Sequence, residues 1–152
     1  MWARSCVRRC GKGRCFMSEA ESTAEARRWM SFAQEDLEAA EGVAAQWNAA
    51  PRHACWLAQQ AVEKALKAIL VYLQIDFPKS HDLDVLRHRI PDDWMVKLEH
   101  PDLAELTEWA VEARYPGDWP VADKEDARDA VVQARAVCES VRSDFMERGV
   151  SV

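Results

Sequence analysis

Apolar residues recur along this chain at spacings of three and four, and no stretch alternates in the manner of a strand. Ser22 with Glu25 forms a capping-box signal, after which Ala26, Trp29, Ala33, Leu37, Ala40, Ala44 and Trp47 mark one face of a long first helix. The segment from Asn48 to Pro51 breaks it, and Pro51 suits the opening turn of a second helix running to about Ile75. So short a connection predicts an antiparallel pair. In that second helix Ala54, Ala58, Ala61, Val62, Ala65, Ile69 and Leu73 share one side, while His53, Trp56, Gln60, Glu63, Lys64 and Lys67 share the other.

Residues 76–80 read as a loop, and His81-Asp82-Leu83 opens a short helix through Leu86. Pro91 and Asp92 restart a brief helical turn, and Pro101 suits the start of a further helix with Leu103, Leu106, Ala110 and Ala113 inside. Residues 114–120 must leave helix, because Pro116 disfavours helix at Tyr115 and Gly117 favours a turn. Asp123 with Asp126 begins a last helix whose inner set is Ala127, Val131, Ala134, Cys138, Val141 and Phe145. The predicted fold is all-α, an antiparallel up-and-down bundle of four main helices with short extra turns.

A length of 152 residues suits one domain with a real core, and no run approaches the ~18 apolar residues of a membrane span. Charge is unevenly spread. Arg4, Arg8, Arg9, Lys12 and Arg14 stand without an acid in residues 1–16, which leaves 15 basic against 26 acidic residues, a net −11, in the remainder. So acidic a body argues against non-specific binding to nucleic acid, which draws on phosphate neutralisation, and confines any RNA contact to a local site. The basic leader lacks the apolar centre of a signal peptide, and Cys6, Cys10 and Cys15 miss the spacing of a zinc site. With Met17-Ser18-Glu19 reading as a natural start, residues 1–17 are expected to be a disordered leader or upstream extension, and 18–149 the folded domain. Cys55 and Cys138 read as core thiols of a reducing, cytoplasmic setting.

Two places carry candidate chemistry. His81 and Asp82 stand where a helix begins, a position whose free amides can hold an anion; equally, Asp82 or Ser80 can cap the helix while His81 packs at a corner. Arg114 and Tyr115 stand where a helix ends: the guanidinium can fork onto a phosphate and the ring can stack on a base, or the arginine can simply favour the helix dipole. Trp56, costly to leave in water on a polar face, is the candidate interface anchor, and Gln59 at the edge of the apolar stripe needs a buried partner. No His has an acid three residues before it, as a di-iron bundle would need, and the five glycines make no phosphate loop.

Four segments, FAQEDLEAA (32–40), QAVEKALKA (60–68), His81-Asp82-Leu83 with Leu86, and Ala113-Arg114-Tyr115-Pro116, stand in an order that resembles the HEPN family over roughly residues 24–147. The resemblance implies a helical bundle that often dimerises, is often encoded beside a minimal nucleotidyltransferase, and in many branches is a metal-independent, toxin-like ribonuclease. That activity uses an Arg followed after four to six residues by His, and none of His53, His81, His88 or His100 has such an Arg upstream. The expectation is therefore a homodimeric binding module for nucleotide, RNA or a nucleotidyltransferase partner, needing no cofactor or metal. Its site joins Gln60, Lys64, Lys67, His81, Asp82, Arg114 and Tyr115. The alternatives are a ribonuclease using a displaced His81–Arg114 pair and a purely structural interaction subunit.

Overall fold

A computed structural model describes residues 16–152, and all regular structure among them is helical. The leader expected over residues 1–17 lies, apart from Phe16 and Met17, outside the described residues. The elements are α1 (Glu19–Ala44), α2 (Pro51–Tyr72), α3 (Leu83–His88), α4 (Met95–Glu99), α5 (Ala104–Glu112) and α6 (Lys124–Glu147).

Cross-helix contacts give the directions. Lys64 of α2 meets Asp36 of α1, and Gln74 just beyond α2 reaches back to Met17 just before α1, so the pair is antiparallel. Arg142 on Gln34, Arg135 on Glu41 and Arg27 on Ser151 make α6 antiparallel to α1 as well. Because α5 starts beside Leu83 and ends beside Arg52, it runs against α2. The four long elements thus go up, down, up, down, as the hydrophobic periods predict. Alanines line the α1–α2 seam, with Ala26, Ala33 and Ala40 buried on one helix and Ala54, Ala58, Ala61, Ala65 and Ala68 on the other. Their short side chains let two long helices approach closely. At the far end of α2 the core turns aromatic, with Tyr72, Trp94 and Phe145 meeting edge to face at centroid distances of 5.3–6.1 Å.

Several boundaries differ from the sequence expectation, each for a physical reason. Helix α1 starts one turn earlier, with Ser18 and Glu21 forming the capping box. Two Ser-x-x-Glu patterns stand in tandem, and the helix propagates through the second, where Ser22 is buried with its hydroxyl donating to Glu19 O. The same helix ends at Ala44, so Trp47 lies in the following turn, 83% exposed, rather than on the inner face. Helix α2 stops three residues short of Ile75. Gln74 takes a left-handed φ of 54°, Gln74 N donates to Val71 O, and Ile75 N donates to Leu70 O at 2.8 Å. That is the glycine-type helix stop built with glutamine instead, and the glutamine amide is anchored on Met17 O at 3.0 Å. The end of α6 repeats the device with Gly149 at φ 74° and buried Val150.

The short helices are held by carboxylates from elsewhere. Pro91 begins only a turn, and α4 follows at Met95, where both oxygens of buried Asp144 on α6 accept N–H groups, from Met95 at 2.8 Å and Val96 at 2.9 Å. Helix α5 starts at Ala104 rather than Pro101. Asp84 of α3 accepts from Leu103 N and from Arg87 Nε at 2.9 Å, and Arg87, 8% exposed, also reaches Lys97 O. No described helix is long and apolar enough to cross a membrane.

Candidate functional site at the corner of α2 and α3

One face of α2 carries Gln59, Glu63 and Lys67 four residues apart, so all three side chains stack on the same side of the helix. The sequence reading sets Glu63 and Lys67 on the polar side of α2, opposite the apolar stripe. In the fold both are 6% exposed, because the segment between α2 and α3 folds back over them. A carboxylate and an ammonium withdrawn from water must be paired and fully hydrogen-bonded. Glu63 Oε1 accepts from Lys67 Nζ at 2.5 Å, and Oε2 accepts from Gln59 Nε2 at 3.2 Å and lies 3.0 Å from His81 Nδ1. Gln60 Nε2 contributes a longer contact of 3.4 Å to the same oxygen and a bond of 2.7 Å to Gln59 Oε1. The Lys67 ammonium also stands 5.7 Å from the centre of the Phe77 ring. Burial by itself would raise the Glu63 carboxyl, but the bonds from Lys67, His81 and Gln59 together hold it below its ordinary 4.5.

His81 precedes α3 rather than opening it. Asp82 is the helix cap, its Oδ1 accepting from Val85 N at 3.1 Å, and Ser80 Oγ accepts in turn from Asp82 N. Gln59 Nε2 also donates to the carbonyl of His81 at 3.1 Å, so backbone and ring of this residue are both tied to α2. The His81 side chain is nevertheless 56% exposed. An imidazole gripped by one nitrogen and open at its other edge can exchange a proton or a hydrogen bond with a ligand.

Of the residues nominated from sequence, Gln60, Lys67, His81 and Asp82 come together here. Lys64 does not: its ammonium pairs with Asp36 of α1. Arg114 and Tyr115 are also elsewhere. Arg114 Nε donates to Ala110 O at 2.6 Å with its guanidinium 5.3 Å from the Tyr115 ring centre, and Arg52 Nη1 donates to Ala113 O at 2.9 Å. Both arginines satisfy carbonyls at the C-terminal end of α5. That end adjoins Arg52 whereas His81 adjoins Glu63, a separation along α2 of ~16 Å at the helical rise. A His81–Arg114 pair does not form within this chain. Trp56 is half-buried, and its Nε1 is sealed from solvent with no acceptor among the described residues.

Sequence reasoning missed the hub, Glu63, although the repeated spacing of Gln59, Glu63 and Lys67 carries the signal. It missed also a polar group between α4 and α6, where Ser140 Oγ donates to Glu99 Oε2 at 2.5 Å and lies 2.9 Å from His100 Nε2. Burial pushes the His100 imidazole below its ordinary 6.5. Cys55 and Cys138 are buried free thiols, both pushed up to about 12 chiefly by burial, and so unreactive. Among the described residues no three His, Cys, Asp or Glu side chains are grouped to hold a metal ion.

Comparison with known proteins agrees with this architecture. The family model of the HEPN domain matches residues 26–144. The chain is 33% identical over 137 residues to "Putative toxin MJ1304" of Methanocaldococcus jannaschii, a match covering 80% of this chain and 88% of that protein. The crystal structure of TT1696 from Thermus thermophilus superposes with a TM-score of 0.64 at 23% identity, over 78% of this chain and 97% of that one. That of ST0689, an archaeal HEPN homologue, gives 0.57 at 21% identity, over 79% and 97%. At those identities the structures speak for the fold alone. The chain belongs to the HEPN domain family.

Proposed function

We propose that this HEPN domain is a binding module for a nucleotide or an RNA segment, with His81 as the point of contact and Gln60 beside it. The observation that carries the reading is His81 itself, held through Nδ1 by buried Glu63 while more than half of its side chain is open to solvent. Binding rather than cleavage is favoured by the ~16 Å that separates the His81 and Arg114 ends of α2, since an imidazole without a guanidinium beside the same phosphate lacks its partner in charge stabilisation. Self-association through the uncovered part of Trp56, a cytoplasmic setting and a nucleotidyltransferase partner belong to the same reading. Fluorescence anisotropy with a labelled oligoribonucleotide tests it: His81→Ala is expected to weaken binding by roughly 1–2 kcal/mol, and Arg128→Ala on the exposed face of α6 to leave it unchanged.

A toxin-like ribonuclease is the second reading, favoured by the 33% identity to a protein named as a toxin and by the Glu63–His81 pairing. Metal-free cleavage of RNA that His81→Ala abolishes would establish it and displace the first. Wild-type protein that neither binds nor cuts RNA or nucleotide leaves a structural subunit.

A further inference from the structure

Glu63 fixes more than the place of His81. Its carboxylate is ionised and can only accept, so at the 3.0 Å contact the proton must sit on His81 Nδ1. In a neutral ring the proton on one nitrogen leaves a lone pair on the other. The carboxylate cannot swing away, because Lys67 holds Oε1 and Gln59 holds Oε2, and Gln59 binds the His81 carbonyl as well. The edge bearing Nε2 therefore points away from Glu63 on a side chain that is 56% exposed, offering an acceptor to whatever docks there.

We propose that Glu63 is a positioning residue that holds the proton of the neutral His81 ring on Nδ1 and so makes its Nε2 a hydrogen-bond acceptor. With the ring neutral this corner then selects ligands bringing a hydroxyl donor, the ribose 2′-hydroxyl being the nucleic-acid group of that chemistry. A phosphate oxygen, which can only accept, is the wrong partner for the neutral ring, and deoxyribose has no donor to offer. The ligand half rests on the binding reading above; the positioning half does not. Its consequence is a preference for RNA over DNA without any base being read.

Two measurements on the full chain separate the halves. Long-range nitrogen-15 spectroscopy of the histidines at about pH 8.5, above the ordinary imidazole range, is expected to find His81 protonated on Nδ1. The double variant Glu63→Leu, Lys67→Met removes both buried charges together and should release the ring to the Nε2-protonated form that free imidazole side chains favour. A wild-type His81 protonated on Nε2 overturns the positioning role. For the ligand half, anisotropy is compared at the same pH of about 8.5, where an ordinary imidazole is neutral, for RNA and DNA oligonucleotides of matched sequence. RNA should bind up to about tenfold more tightly, the scale of one neutral hydrogen bond. His81→Asn, whose amide reproduces the Nδ1 donor toward Glu63 and puts nothing at Nε2, should bring RNA down to the DNA level. Equal affinity for both strands in the wild type, beside the Nδ1 tautomer, overturns the selection of a hydroxyl. If neither oligonucleotide binds, the ligand half falls together with the reading it rests on, and the tautomer still decides the role of Glu63.

Discussion

Replacing Glu63 by alanine removes the one group that serves Lys67, Gln59 and His81 together. Lys67, 6% exposed, would then lose the carboxylate 2.5 Å from its ammonium, and breaking a buried pair from one side costs ~3–5 kcal/mol. The Gln59 amide, fully buried, keeps the His81 carbonyl, so it adds less than the ~1–3 kcal/mol of an orphaned donor. A total of about 4 kcal/mol is a large share of the ~5–15 kcal/mol that stabilises a domain, and corresponds to a melting temperature lower by roughly 10–15 °C at this size. Urea denaturation followed by circular dichroism reads the loss directly. Removing both charges with Glu63→Leu, Lys67→Met should recover all but about 1 kcal/mol, because an apolar pair of similar volume replaces an ion pair at little cost. The acid side gives an independent check. The folded carboxyl lies below its ordinary 4.5, so its contribution is complete above that value and lost as pH falls through the folded one. The double variant should lack that part of the acid limb. A Glu63→Ala protein within about 1 kcal/mol of wild type, or a double variant as unstable as the single, would refute the reasoning.

Three further expectations concern the frame around the corner. Asp144→Ala deprives α4 of both acceptors at its start, which should cost about 2–4 kcal/mol and speed amide exchange at Met95 and Val96, whereas Asp144→Asn should lose roughly half as much. Gln74→Gly relieves a left-handed residue by ~1 kcal/mol but forfeits the bond to Met17 O, so a net change within about 0.5 kcal/mol is expected; Gln74→Val should cost ~1–2 kcal/mol. His100 resists protonation in the fold, so stability should decline as pH falls below 6.5, where the unfolded chain takes up the proton first; His100→Gln should flatten that decline in melting temperature below pH 6.5.

The long helices were legible because their evidence is local and periodic. Asp123 with Asp126 caps α6 as its pattern predicts, and Ala127, Val131, Ala134, Cys138, Val141 and Phe145 are all buried. Where two equivalent signals stood in tandem, as at Ser18 and Ser22, nothing local could choose between them. The end of α2 was illegible for a different reason, since a glutamine fills the position that glycine usually marks and is held there by a contact with Met17 far along the chain. The candidate site shows the same division. His81 and Asp82 could be nominated from the turn they flank, but the helical period put Glu63 and Lys67 on the polar side of α2 without showing how deeply they are buried, because the cover comes from a loop whose path no periodicity describes. Arg114 could likewise be nominated from the helix end where it stands, and only the direction of α5 reveals that this end lies at the opposite end of α2 from His81.

The bond from Arg27 to the carbonyl of Ser151 sets the tail of the chain against the first turns of α1. From Arg27 back to Ser18 the helix climbs ~13 Å at its normal rise, a gap that a linker of about five residues spans when extended. The stretch from Ser18 to Ser151 is therefore close to a closed ring, interrupted at one end of the bundle. Joined there and reopened between Pro120 and Val121, which are both exposed, it would begin with α6 and end with α5. The packing of α6 on α1, now reached only after nearly the whole sequence has been made, would become a contact between neighbours. Such a circular permutant keeps every helix and lowers the contact order, so it should fold faster than the parent while reaching the same bundle.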